Sequence, residues 1–142
     1  MRKKHFKVLL VILSLALFTQ SAVKNFPKPA TGFWSSISDW TYPAEYRIYK
    51  IVQGEHLTNY NIANLGYDTL GTVPKYLLKR DNVEISYDDY YHNKYLFVVE
   101  EKGRDIMADP AYEVHTFTPS KLLKTWEIND HYNMYLLERI KS

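Results

Sequence analysis

One run places carboxylates and an imidazole at metal-ligand spacing: Asp88, Asp89 and His92, within D-D-Y-Y-H. On a helical turn, His92 would lie three or four residues from each carboxylate, on the same face. Zinc and other transition metals are bound by such groups. Because no second cluster accompanies these ligands, a solvated turn is favoured, and no metal site is predicted. A metal enzyme that uses these three residues is a third functional hypothesis.

Polar residues that could contact a ligand are concentrated between residues 60 and 72. The pattern predicts a strand over 60–65, a polar loop and then a helix, the arrangement in which open α/β sheets bind anionic ligands. Neither G-x-G-x-x-G nor G-x-x-x-x-G-K-[ST] is present, so no particular phosphate ligand is indicated. The sequence predicts Asn61, Asn64, Asp68 and Thr72 as the ligand-binding residues.

Catalytic chemistry has no positive support elsewhere. Glu100 and Glu101 follow an apolar strand pattern, but consecutive strand residues point to opposite faces, so they are not a paired acid and base. His56, His115 and His131 are isolated, and G-x-S-x-G, H-E-x-x-H and S-x-x-K are all missing. The chain has no cysteine, which excludes disulfides and thiolate zinc sites. We therefore predict no catalytic residue and no cofactor.

The charge distribution argues against a nucleic-acid partner. Four of the 18 Lys and Arg lie in the first seven residues, whereas all 16 acidic residues occur at Asp39 or later. The rest of the chain carries 14 basic against 16 acidic groups, so no basic stripe remains for phosphate contacts.

The N-terminal residues 1–24 form a basic cap followed by an apolar run from Val8 to Phe18. They fit a signal peptide cleaved near Ser21 or Ala22. They also fit a retained anchor, since residues 6–23 would span about 27 Å as a helix, close to the bilayer core. In both cases the positive-inside rule places the remaining chain outside the cytoplasm. The aromatic residues that follow favour retention, and thus a single-pass protein of the cytoplasmic membrane.

Residues 25–42 are predicted to be a juxtamembrane linker, because prolines and a glycine interrupt regular structure there. Phe33, Trp34 and Trp40 are expected at the membrane interface, where amphipathic rings collect. Packing of Trp34 and Trp40 against the domain is expected as well as interfacial anchoring, and stacking of these rings on a sugar is the less favoured alternative.

Residues 43–142 are predicted to form one extracytoplasmic α/β domain. Apolar spacing predicts a helix over 43–53, with Thr41 as cap and Gly54 as terminator. Y-L-F-V-V at 95–99 predicts a central strand. The other predicted elements are a helix over 73–78 capped by Thr72, strands over 83–86 and 112–117, a short helix or loop over 103–108, and a C-terminal hairpin. The fold class is a small mixed sheet of about five strands with short helices, preceded by one transmembrane or signal helix.

The hairpin pairs residues 122–128 with 132–140 across a three-residue turn. This register places Trp126 opposite Met134 and Ile128 opposite Tyr132, so that apolar residues share one face.

With these elements in order, the chain resembles a domain of membrane glycosyltransferases. The family is the extracytoplasmic C-terminal domain of polytopic, lipid-linked-sugar glycosyltransferases of the bacterial dolichyl-phosphate-mannose protein mannosyltransferase type. The matching features are the hydrophobic segment with its aromatic linker, Y-N-I-A-N-L-G-Y-D-T at 60–69, V-P-K-Y-L-L-K at 73–79, Y-L-F-V-V-E-E at 95–101, Y-E-V-H-T-F-T-P-S-K-L at 112–122 and K-T-W-E-I-N-D-H-Y-N-M-Y-L-L-E-R at 124–139.

The resemblance implies a non-catalytic accessory or binding domain, tethered to the membrane and associated with cell-envelope glycosylation. In such enzymes the catalytic acidic residues lie in a membrane region that has no counterpart here, so no catalytic residue is carried over and the chain is not expected to be an enzyme by itself. The implied partners are the cytoplasmic membrane and a membrane glycosyltransferase. The alternative is a secreted periplasmic or extracellular binding protein released by signal cleavage.

Overall fold

The computed structural model describes residues 11–20, 40–85 and 90–140. Two helices come first, helical segments then alternate with strands, and the last two elements are adjacent strands. In chain order they are α1 (residues 11–20), α2 (Tyr42–Glu55), β1 (Tyr60–Asn64), α3 (Thr72–Arg80), β2 (Tyr95–Glu101), a 3-10 turn (Ile106–Ala108), α4 (Tyr112–His115), β3 (Ser120–Glu127) and β4 (Tyr132–Arg139).

The strands form one mixed sheet in the order β1-β2-β4-β3. β1 and β2 are parallel, whereas β4 is antiparallel to both of its neighbours. Phe97 and Val99 belong to the core with α2 and α3, while Leu96 and Val98 pack with α4 and the 3-10 turn. Burial on both faces explains the continuous apolar run of β2. The α/β class, the mixed sheet, the central position of β2 and the C-terminal hairpin are therefore confirmed, with four strands in the described ranges rather than about five.

The prediction of a strand over 112–117 is wrong. Tyr112–His115 forms a short helix, in which the His115 amide donates to Ala111 O at 2.8 Å. Val114 and Phe117 are both buried in the same core cluster, and a spacing of three residues suits a helical turn rather than strand alternation. Residues 83–85 are also not in a strand.

The hairpin register is confirmed, because Trp126 lies opposite Met134. The Ile128 amide donates to Tyr132 O at 2.9 Å and closes the turn. β3 is an edge strand, and its register shifts between Leu122 and Lys124. This irregularity and the exposed lysines are features that discourage pairing with another sheet edge.

α2 forms where the sequence predicts it, but it begins one residue earlier and ends two residues later. Its ends differ from the prediction in detail. Thr41 is the N-cap residue but makes no side-chain capping bond, and the C-cap is His56 at φ 51° instead of Gly54.

Within the ranges that the structure describes, no helix is both long and apolar enough to cross a membrane. Residues 1–10 and 21–39 lie outside these ranges, so the predictions for Phe33 and Trp34 fall on residues that are not described. Trp40, predicted at the membrane interface, is instead fully buried in the domain core. It packs against the domain, the other placement expected for this residue.

Candidate functional site

The loop between β1 and α3 is held by Asp68. Its Oδ1 accepts a hydrogen bond from Gly71 N and its Oδ2 accepts one from Thr72 N, both at 2.8 Å. A carboxylate at this position satisfies amides that the first turn of a helix leaves free and matches the positive end of the helix dipole. Asp68 therefore fills the place predicted for an anionic ligand. Thr72 is the first helical residue and not the cap, which is Gly71 at φ 64°.

The two predicted asparagines on β1 are completely buried. Asn61 Oδ1 accepts from Ile62 N at 2.8 Å, and Asn64 Nδ2 donates to Glu45 Oε1 at 3.4 Å. Asn64 also anchors the loop, because its carbonyl accepts from Thr69 N at 2.8 Å. The structure thus brings Asn64, Asp68 and Thr72 to one loop, where each has a structural partner, and places Asn61 in the interior of β1.

A buried glutamate that the sequence reasoning missed adjoins this loop. Glu45, in the first turn of α2, is only 2% exposed, and its Oε1 accepts a hydrogen bond from Trp40 Nε1 at 2.5 Å. Burial raises the pKa of Glu45 to about 7, the Trp40 hydrogen bond opposes this rise, and the charge of Asp68 adds to it. Glu45 is therefore a proton-binding group near neutral pH, inside the domain core.

Aromatic rings pack against Trp40, which donates the hydrogen bond to this glutamate. The Trp40 ring meets Tyr132 edge to face at 5.1 Å and stacks on Tyr67 at 6.0 Å between ring centroids. Gly66 fits closely beside them, because a Cβ there would lie 2.6 Å from Tyr132 Cε1. No side chain larger than hydrogen fits at residue 66 without a shift of that ring.

Helical spacing could have revealed Glu45. Ile48, Tyr49 and Val52 follow it at three, four and seven residues, and all are buried with it on one face of α2. A carboxylate at such a position lies on the apolar stripe of the helix. The signal was present in the pattern that predicted α2, but the partners Trp40 and Asn64 are supplied by tertiary contacts.

The second buried glutamate lies on the other face of the sheet. Glu100, at the end of β2, is 4% exposed, and its Oε1 accepts from Glu101 N at 2.7 Å. Burial raises its pKa, the bond from Glu101 N opposes the rise, and Asp109 adds to it. Glu101 points to the opposite face and is exposed, so the expectation that these two do not form a catalytic pair agrees with their placement.

A polar cleft of about 530 Å³ opens at the other end of the parallel strands. Its walls come from three segments: the start of β1, the residues after α3 and those before β2. Asn93 Nδ2 donates to Asn59 Oδ1 at 3.4 Å across it. The described residues that line it are Thr58, Asn59, Tyr60, Glu84, Ile85, His92 and Asn93. None of these lining residues is a lysine or an arginine.

The structure shows no metal-binding cluster among the residues that it describes. Asp88 and Asp89 lie outside the described residues, and His92 lines the polar cleft. In the part of the chain that is described, no group of three or more histidine, aspartate or glutamate side chains could hold a metal ion. His115 ends α4, and the His131 amide donates to Asn129 Oδ1 in the hairpin turn.

Comparison of the chain with protein-family models, with curated proteins and with solved structures finds no match.

Proposed function

We propose that the protein is a non-catalytic binding domain, held outside the cytoplasmic membrane by its N-terminal segment and associated with cell-envelope glycosylation. The polar cleft is the observation that carries the binding role. It lies at one end of the sheet and its volume, about 530 Å³, is within the range of small-molecule sites. The resemblance to the tail domain of membrane glycosyltransferases supports the association with glycosylation.

The apolar surface of α1 supports the membrane tether. Its large apolar side chains are all exposed: Val11, Ile12, Leu13, Leu15, Leu17 and Phe18. Contiguous exposed apolar surface of this kind marks a contact with a membrane or a partner. The basic residues that precede α1 in the sequence favour retention of that end in the cytoplasm.

The lining of the cleft favours a neutral ligand rich in hydroxyl groups, such as a sugar. The amides of Asn59 and Asn93 can donate and accept hydrogen bonds, and the Glu84 carboxylate accepts them. A hydroxyl group offers both functions. Because the described lining has no lysine or arginine, a phosphate or carboxylate ligand would meet the Glu84 carboxylate without a permanent positive charge to balance it.

A printed array of neutral and acidic glycans, probed with the full chain in non-ionic detergent, tests this proposal. We expect binding to neutral glycans, weakened about tenfold by Glu84→Gln, since a hydrogen bond to a charged group contributes about 1.5–3 kcal/mol. Asn59→Asp removes the amide donor while keeping a residue type that tolerates the positive φ of 56°. Asn133→Ala, at the far end of the sheet, is the matched control and should bind as the wild type does.

If no glycan bound, or if the Glu84→Gln and Asn59→Asp variants bound glycans as tightly as the wild type, the cleft would not be the binding site. Turnover of a lipid-phosphate sugar by the purified full chain alone would refute the non-catalytic role. Intact mass decides retention: a full-length chain in the membrane fraction supports the tether, whereas a soluble chain that starts near Ala22 or Val23 supports the secreted alternative.

A further inference from the structure

Two buried oxygens beside Trp40 have no hydrogen-bond partner. Glu45 Oε2 and Asn64 Oδ1 are each inaccessible to solvent and unpaired in the structure of the described residues. The other ends of the same two groups face each other, because Asn64 Nδ2 donates to Glu45 Oε1 at 3.4 Å. A carboxylate and an amide oxygen are both acceptors, so an ionised Glu45 cannot satisfy either orphan atom.

A single proton resolves both deficits. A carboxylic acid carries one O–H donor, and an acid on Glu45 can donate from Oε2 to Asn64 Oδ1 while Oε1 continues to accept from Asn64 Nδ2. The result is a cyclic acid–amide pair with two hydrogen bonds. Oε1 keeps a second lone pair for Trp40 Nε1, which donates at 2.5 Å. Every polar atom of the three side chains is then satisfied, as buried groups normally are.

The charges around Glu45 also favour the neutral form. Asp68, in the loop after β1, is the charged group that acts on it, and its negative charge raises the pKa of Glu45. On α3, a described contact of the buried Lys75 cation is with the Tyr90 ring, whose centroid lies 5.5 Å from Nζ. From β4, Tyr132 packs edge-on against Trp40. Burial, the largest cause, acts in the same direction as Asp68.

We propose that Glu45 and Asn64 form a neutral acid–amide pair that locks Trp40 into the core, and that loss of the shared proton opens this junction. The ionised carboxylate would be buried with two acceptors facing each other and no cation bonded to it, which is costly. Trp40 Nε1 donates to the Glu45 carboxylate, and the Trp40 ring belongs to the same buried core cluster as α2. Displacement of Trp40 would remove this hydrogen bond and admit water to the carboxylate.

Linkage sets the size of the expected effect. If Glu45 has an ordinary pKa of about 4.5 when open and about 7 when closed, the opening equilibrium rises about tenfold per pH unit between these values. Above pH 7 it levels off, because both forms are ionised. The expected effect is a pH-sensitive contact between Trp40 and the rest of the core.

Nuclear magnetic resonance of the three tryptophan indoles tests this proposal in the full chain in detergent. Trp40→Phe identifies the Trp40 signal. After correction for the intrinsic pH dependence of exchange, hydrogen exchange of the Trp40 indole should accelerate about tenfold per pH unit from pH 5 to 7 and then level off.

Glu45→Gln is the decisive variant, because its amide reproduces the donor and acceptor of the neutral acid and cannot ionise. We expect the corrected Trp40 exchange to stay at its low-pH value throughout. Glu55→Gln, on the same helix and bonded to Lys124 on the surface, is the control and should retain the wild-type profile. A pH-independent wild-type rate, or the same profile in the Glu45 variant, would overturn the proposal. Infrared spectra at pH 6 should show a protonated-carboxyl band that Glu45→Gln diminishes.

Discussion

Replacement of Glu45 by glutamine should make the protein more stable at alkaline pH, although it changes a side chain of the core. Burial raises the pKa of Glu45 from 4.5 to about 7, and one pKa unit corresponds to about 1.4 kcal/mol. Between these pH values the folded chain binds a proton that the unfolded chain has lost, so the free energy of unfolding falls as pH rises. The loss approaches about 3 kcal/mol and is complete above pH 7.

The glutamine variant does not undergo this loss. We expect it to match the wild type at pH 4 and to exceed its free energy of unfolding by about 3 kcal/mol at pH 8. Urea denaturation of both proteins in the same detergent, followed by circular dichroism at pH 4, 5, 6, 7 and 8, measures the difference at each pH. Titration of the other carboxyl groups is common to both proteins and cancels.

The pH dependence of this difference in unfolding free energy tests whether Glu45 is a buried acid. It should be small at pH 4, rise steadily to pH 7 and then remain constant. A difference that does not depend on pH, or a glutamine variant less stable than the wild type at pH 8, would refute the assignment of Glu45 as a buried acid. Glu55→Gln should show no such curve, because Glu55 is bonded to Lys124 at the surface.

Three further changes follow from the described contacts, with thermal unfolding as the measurement. Asp68→Ala should cost about 1 kcal/mol by removing the acceptors of the Gly71 and Thr72 amides at the start of α3, whereas Asp68→Asn keeps an acceptor for one of the two amides and should cost less; equal losses would contradict this role. Gly71→Ala should cost about 1–3 kcal/mol at φ 64°, where a Cβ would also lie 2.8 Å from Ile62 Cγ2, and an unchanged transition would contradict that strain. Arg139→Lys should cost about 2–3 kcal/mol, because the guanidinium donates to three backbone carbonyls and lies 4.3 Å from the Phe117 ring centroid. An equally stable lysine variant would show that the planar arrangement of the guanidinium donors is unimportant.

The elements that could be predicted from the sequence are those whose pattern is local. The run Y-L-F-V-V requires a strand covered on both faces, and Trp126 and Met134 must share a face, which fixes the hairpin register. Tyr112, Val114 and Thr116 alternate in a way that also suits a strand. Only the packing of Val114 with Phe117 in the second core cluster selects a helix there.

The candidate sites depend on contacts between distant segments. Asn64 is 19 residues from Glu45 along the chain, so their pairing has no local signal. The cleft is likewise formed by three separate segments. The pattern predicts Asp68 as a polar residue of the loop, but its two bonds to the Gly71 and Thr72 amides depend on the folded loop.

The strand order has a consequence for how the chain folds. β3 and β4 are neighbours in both sequence and space, so this hairpin forms at a small cost in loop-closure entropy. β1 instead pairs in parallel with β2, and Tyr60 lies opposite Tyr95. Contacts of such long sequence separation form late in folding. We therefore expect the β3–β4 hairpin to form first, and the pairings of β2 with β4 and of β1 with β2, which both join residues far apart in the sequence, to follow.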